Sequence, residues 1–263
     1  MVPLKKTKIN SIAKKVINLE IEALRLLKKS IDRNFDKAVN AIINCQSKII
    51  LCGVGKSGLI AAKIASTMSS VGSPSFSLSA NDCLHGDLGS ISKKDLLILI
   101  SNSGKSEELL PIIKFANRNK VKLIGIVSKK NSSLYKGSDI KILLPEAQEA
   151  GLGIVPTSST SIQLAIGDAL AIAALNKKQF NKNDFSKLHP GGNLGKQLKT
   201  VEDLMVTKNK VPFILESKNL KEAIKIITQK KLGVLIAKNK KGLTTGILTD
   251  GNIRKRRHNQ NDI

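Results

Sequence analysis

The chain has 263 residues but no tryptophan, one tyrosine and six phenylalanines, so aromatics make up only 3% of it. Proteins that hold single-stranded nucleic acid by stacking need a row of such rings, and that class is disfavoured at once. Cysteine is also sparse. Cys45, Cys52 and Cys83 are too few and too scattered for a disulfide framework, which fits a reducing compartment, and Cys52 reads as a small core residue at a strand end. Long apolar runs are missing: Leu96–Ile100, Lys122–Val127 and Ala169–Leu175 all fall short of the ~20 residues that span a bilayer. The N-terminal lysines lead into no apolar stretch, so no signal peptide is expected and the expected location is cytoplasmic. Acidic residues are outnumbered 20 to 44, leaving a net charge of +24. Only six of the basic residues are arginine, and apart from Arg254-Lys255-Arg256-Arg257 the charge is evenly spread with no nucleic-acid motif. It reads as a lysine-rich solvated surface, with neither nucleic acid nor membrane as partner.

What is present is a regular alternation. Ile12, Val16, Leu19, Ala23 and Leu26 predict an amphipathic helix over residues 9–29, and a second helix follows over 36–45. Short apolar strands are expected at 48–52, 75–79, 95–101, 122–127 and 140–144, separated by helices with Ile60, Ile64 and Met68, over 107–119, and over 160–175. Strands that are apolar throughout and alternate with helices imply right-handed crossovers, a parallel five-stranded sheet and helices on both faces. The predicted fold class is α/β, a doubly wound, flavodoxin-like domain over 1–199. A small α+β unit over 200–263 has a helix around Ala223, Ile224 and Ile227 and strands near 234–237 and 245–248.

Every polar cluster falls at the carboxyl end of a predicted strand, where ligands bind in such sheets. Gly53–Gly58 matches G-x-G-x-x-G but is not a phosphate-binding P-loop, because Ile50 stands where the leading glycine belongs. Gly55, Lys56 and Ser57 would meet an anion there; a plain tight turn is the simpler alternative. Ser101-Asn102-Ser103-Gly104-Lys105-Ser106 gathers hydroxyls and an amide at a helix start, which suits a phosphate monoester or an elaborate cap. Thr157-Ser158-Ser159-Thr160 opens the long helix in the same way. His85 and His189, two of only three histidines, sit in glycine-rich loops and suit proton transfer. A metal set of Cys83, His85, Asp87 and His189 fits no structural zinc spacing.

Gly-Val-Gly-Lys-Ser-Gly at 53–58, His-Gly-Asp-Leu-Gly at 85–89, Ser-Asn-Ser-Gly at 101–104, Pro-Thr-Ser-Ser-Thr at 156–160, Gly-Asp-Ala-Leu-Ala at 167–171 and His-Pro-Gly-Gly at 189–192 occur in one order. In these motifs the chain resembles the SIS (sugar isomerase) family, and within it the arabinose-5-phosphate isomerases. The resemblance implies interconversion of D-arabinose 5-phosphate and D-ribulose 5-phosphate, feeding 3-deoxy-D-manno-octulosonate and lipopolysaccharide. It implies a sugar phosphate as the small-molecule partner, no cofactor, no metal, and a homotetramer with sites shared between subunits. Its catalytic set maps onto Lys56, Glu108, Glu149 and His189, with His85 as a further candidate. Phosphate anchoring falls to Ser101, Ser103, Ser106 and the 157–160 loop, with Gly55, Ser57 and Asn102 beside them. Three departures stand out. Lys105 replaces the family's glutamate. Glu149 aligns only with a one-residue deletion, Gln148 taking the place otherwise. A single, incomplete CBS-like module, over Val201–Asn259, stands where the family has a pair. Two other functions compete: a non-catalytic sugar-phosphate-sensing regulator, and a nicotinamide-dependent dehydrogenase with Asp82 as a loose ribose ligand. A SIS isomerase acting on a hexose phosphate is a third, disfavoured by the histidine motifs.

Overall fold

The computed structural model describes residues 9–189 and 200–258, except for the side chains of Asp203, Arg256, Arg257 and His258. Pro190, Gly191 and Gly192 of the last motif lie outside the described residues. The chain divides into two compact units, Met1–Leu198 and Lys199–Ile263.

In the first unit the apolar runs form β1 (Ile49–Gly53), β2 (Ser75–Ser79), β3 (Leu96–Ser101), β4 (Lys122–Val127) and β5 (Ile140–Leu143). They make one sheet in the order β2-β1-β3-β4-β5, with every neighbouring pair parallel. Parallel neighbours need crossovers, and these are supplied by α3 (Lys56–Ser70), α4 (Ala80–Cys83), α5 (Leu109–Asn119) and α6 (Ser133–Gly137). Two helices precede the sheet, α1 (Ile9–Ser30) and α2 (Arg33–Ile43). After it come a short turn α7 (Gly151–Ile154), α8 (Ser158–Lys177) and α9 (Lys182–Leu188).

Strand side chains alternate between two cores. Ile49, Leu51, Leu96, Ile98, Ile100, Ile124 and Ile126 pack under α1, α2, α3 and α8. Ile50, Cys52, Leu97, Leu99, Leu123 and Val127 pack under α4, α5 and α6. Both faces are covered, as the continuous apolar runs of β1 and β3 require. Cys52 is a core residue whose thiol burial pushes up to about 12. α8 is 20 residues long and reaches a mean hydropathy of 1.3 over an 18-residue window, enough by length and composition alone to cross a membrane. Here it is the central helix of one core: Ile162, Ile166, Leu170 and Ala174 are buried. Gly167 lets it approach α3, because a Cβ there would lie 2.2 Å from Ile64 Cδ1.

α1 differs from expectation. The core takes Ala23 and Leu27, while Leu26 is 37% and Ile12 51% exposed. Leu27, four residues after Ala23, continues the half-buried face of Val16 and Leu19, and Leu26 lies about a further 100° around the helix.

The second unit holds α10 (Val201–Leu204), β6 (Phe213–Leu215), α11 (Leu220–Lys230), β7 (Val234–Lys238), β8 (Thr244–Thr249) and α12 (Asp250–His258). β7 pairs parallel with β6 and antiparallel with β8. Its buried cluster among the described residues is Ala223, Ile227 and Leu235. β6 is three residues long, too short for a periodicity to show, and α12 carries the basic cluster that gives no apolar signal.

At the amino ends of β1 and β3 the sheet is pinned by an ion pair. The Asp95 carboxylate, with no exposed side-chain surface, accepts from Lys48 Nζ at 2.9 Å and from the Ser92 N–H at 2.6 Å. Burial would raise its pKa, but these hydrogen bonds outweigh burial and hold it at about 2. A depressed carboxylate stabilises the fold above its ordinary value and loses that contribution as pH falls through the depressed one. Asp95→Ala therefore costs about 3 kcal/mol at neutral pH. Urea unfolding should show the gap between wild type and variant closing as pH drops from about 4 toward 2.

Candidate active site

The strand order reverses between β1 and β3. α3, which follows β1, packs in one core, and α5, which follows β3, packs in the other. The chain therefore leaves the two adjacent strands toward opposite faces, and a crevice opens beyond their carboxyl ends. The loops that flank it are Gly53–Gly58 and Ser101–Ser106.

The first loop is a close backbone crossing. Gly58 would put a Cβ 2.7 Å from the Gly53 carbonyl oxygen, and Gly55 holds φ at +58°. The glycines thus let the chain turn on itself, leaving Lys56 exposed and Ser57 half-buried in the first turn of α3. A cavity of about 490 Å³ opens beside this turn, between Gly55 and Ser79, Asn81, Asp82 and Asp87. His85 lies exposed between α4 and a 3₁₀ turn at Asp87–Ser90.

The second loop is held from inside. Ser101 is buried; its Oγ accepts from the Gly104 N–H at 3.0 Å and shares a hydrogen bond with Ser106 Oγ at 3.2 Å. Gly104 has φ +64°, and a Cβ would strike Ser132 and Val127. Asn102 is sewn to the chain after β4: its Oδ1 accepts from Ser128 Oγ at 2.6 Å, and its carbonyl accepts from the Ser128 N–H at 3.1 Å. Ser103 Oγ accepts from the Lys105 N–H. Glu108 is half-buried just before α5 and makes no side-chain capping bond. Ser128 was not singled out in the sequence; its place directly after a strand end is the signal that was available.

The start of α8 is capped, one of the two alternatives its hydroxyls offered. Its donors do not face open solvent. The Glu149 carboxylate accepts from the Thr157 N–H at 2.8 Å, Thr157 Oγ1 at 3.2 Å and the Ser159 N–H at 3.3 Å. Thr160 Oγ1 donates to its own chain, at the Thr157 carbonyl. Ser158 and Ser159 are buried. The reason is local: Ala150 bridges Val155 across the α7 turn, and that hairpin returns Glu149 onto the helix end. A helix N-terminus favours an anion, and here the anion is the protein's own. Burial works to raise the Glu149 pKa, but the bonds from Ser159 and Thr157 prevail and lower it. Gln148, the rival for this place, is exposed.

His189 closes α9. Its ring stacks on Phe185 at 3.8 Å, and Nδ1 lies 2.8 Å from the Phe185 carbonyl oxygen. A carbonyl only accepts, so Nδ1 is the donor in this contact and Nε2 is the ring nitrogen outside it. Among the described residues the hydrogen bonds join Ser101 to Ser106 and Glu149 to Thr157 and Ser159. They do not tie Lys56, His85, Glu108 or His189 to one another. No group of three or more metal-ligating side chains occurs among the described residues.

Comparison with known proteins defines the class first. The SIS domain model matches residues 42–173, and the CBS domain model matches 201–259. The chain is 39% identical to the arabinose 5-phosphate isomerase KdsD of Yersinia pestis, over 92% of this chain and 74% of that protein. KdsD of Escherichia coli K12 is 38% identical over the same shares. A Rickettsia prowazekii protein, RP505, is 39% identical over 95% of this chain and 78% of its own. Among solved structures, Escherichia coli CFT073 c3406 in complex with arabinose 5-phosphate superposes with a TM-score of 0.66 at 35% identity. That match covers 71% of this chain and 100% of c3406. This chain belongs to the SIS family of the arabinose 5-phosphate isomerases.

Glu149→Ala should remove the cap from α8 and cost about 1–2 kcal/mol. Because the carboxylate's pKa is lowered in the fold, that stabilisation is present above the ordinary glutamate value and fades as pH falls below it. Thermal melts of the two proteins should accordingly converge in acid.

Proposed function

We propose that this chain is an aldose–ketose isomerase that interconverts D-arabinose 5-phosphate and D-ribulose 5-phosphate through a cis-enediol. The reading rests above all on the 38–39% identity to KdsD enzymes across 92% of the chain. The product would feed 3-deoxy-D-manno-octulosonate and lipopolysaccharide synthesis. We place the isomerase domain at 1–199 and a CBS-like module at 200–263, in a cytoplasmic homotetramer whose sites are shared between subunits.

The chemistry needs an open-chain sugar, a base for the proton at C2, and positive charge for the oxygen that becomes an enediolate. Ser101, Asn102, Ser103 and Ser106 hold the phosphate, with the Gly55–Ser57 turn on the other side of the crevice. Thr157, Ser158, Ser159 and Thr160 then act less as direct phosphate ligands than as the frame that fixes Glu149. His85 assists ring opening. Glu108 or His189 removes the C2 proton and returns it to C1, while a proton passes between O2 and O1. Lys56 stabilises the negative oxygen between these steps, and no cofactor is assigned a part. The His189 contact supports the base assignment, since Nε2 lies outside it and can accept a proton without a change in the Nδ1 bond.

Purified protein is to be assayed with D-arabinose 5-phosphate, following ribulose 5-phosphate, with glucose 6-phosphate as the control substrate. Glu108→Gln and His189→Ala should each lower turnover by roughly 10²–10⁴ if that residue is the base, with the melting temperature retained. Full turnover in a folded variant removes that residue from the mechanism.

A further inference from the structure

The Ser101–Ser106 loop has a second side. Outside the carboxyl ends of β4 and β5 lies a cavity of about 590 Å³, whose lining includes Ser103, Lys105, Lys129, Lys130, Asn131 and Glu146. Three ammonium groups share this space with one carboxylate. Lys129 takes it, with Nζ 2.6 Å from Glu146 Oε1. Lys105 and Lys130 have no ion-pair partner among the described residues, so the cavity carries surplus positive charge beside the neutral donors Ser103 and Asn131. Lysine offers a compact charge with three rotatable donors, which suits an oxyanion held without strict geometry.

We propose that this cavity is a second anion site, taking the phosphate or carboxylate group of a small ligand and distinct from the crevice between β1 and β3. Ser128 borders the cavity, and it is the residue that clasps Asn102 through side chain and backbone. The Leu134 N–H donates to the Gly104 carbonyl at 3.1 Å, so the segment after β4 buttresses the serine loop twice. An anion seated on Lys105, Lys130 and Asn131 therefore bears directly on the loop that positions Ser101 and Ser106.

The test is equilibrium dialysis of the full chain with inorganic phosphate at low ionic strength, where exposed charges are least screened. Wild type should bind two phosphates per chain, and D-arabinose 5-phosphate should displace one of them. In Lys105→Glu/Lys130→Glu the displaceable site should remain while the other weakens by roughly tenfold or more. Lys14→Glu/Lys28→Glu makes the same change in net charge on α1 and should keep both sites. One site in wild type, or an equal loss in the α1 control, would overturn the proposal. If the sugar phosphate displaces neither anion, the isomerase reading fails, and the comparison of the two variants still decides this one.

Discussion

The reversal of strand order between β1 and β3 is the constraint on which the rest of this protein depends. Two parallel neighbours hydrogen-bonded along their length send their chains to opposite faces, the arrangement that opens a crevice beyond their ends. Each exit must be built differently. After β1 the turn is so tight that only glycines fit at the crossing of residues 53 and 58. After β3 the loop is broader and is stiffened from within by Ser101 and from outside by Ser128. A phosphate monoester needs several donors held in fixed places, and a loop tied at both sides supplies them without ordering at the moment of binding.

The same economy of ties is seen around Glu149. A carboxylate placed at a helix end is both a cap and a charged group held at a known position. Lowering its pKa through three hydrogen bonds keeps it ionised, so in this state it organises the first turn of α8. The basic surface adds a general attraction for anionic sugar phosphates, but selectivity has to come from groups that are locked, because exposed lysines are mobile and screened.

β1, β3 and β4 were legible because they are buried on both faces, and β2 because its residues alternate. β2 and β4 match the predicted segments residue for residue, and β1, β3 and β5 agree within a residue at either end. The long helix was read two residues short at each end, since its flanking Ser158, Ser159, Asn176 and Lys177 carry no apolar signal. Less legible was what the polar clusters do. The glycines at 53 and 58 were read as an approach for a ligand or a plain tight turn, and they make a close backbone crossing. The hydroxyls at 157–160 were read as a phosphate cradle or a simple cap, and the Thr157 hydroxyl and N–H go to Glu149, a contact across eight residues that accompanies the Ala150–Val155 bridge. Spacing reports which residues are near in the chain, not which acceptor a folded hairpin returns to them. The second unit was hardest, since its described core of Ala223, Ile227 and Leu235 leaves little periodicity to read.

The central claim is that the crevice at β1 and β3 converts a pentose phosphate rather than only holding it. The most direct measurement is the ³¹P NMR spectrum of D-arabinose 5-phosphate incubated with the purified chain. The ribulose 5-phosphate resonance should grow to an equilibrium ratio that is also reached from the ketose side. An unchanged spectrum, from a folded chain that the same sugar phosphate stabilises against heat, would contradict it and leave a binding protein in place of an enzyme.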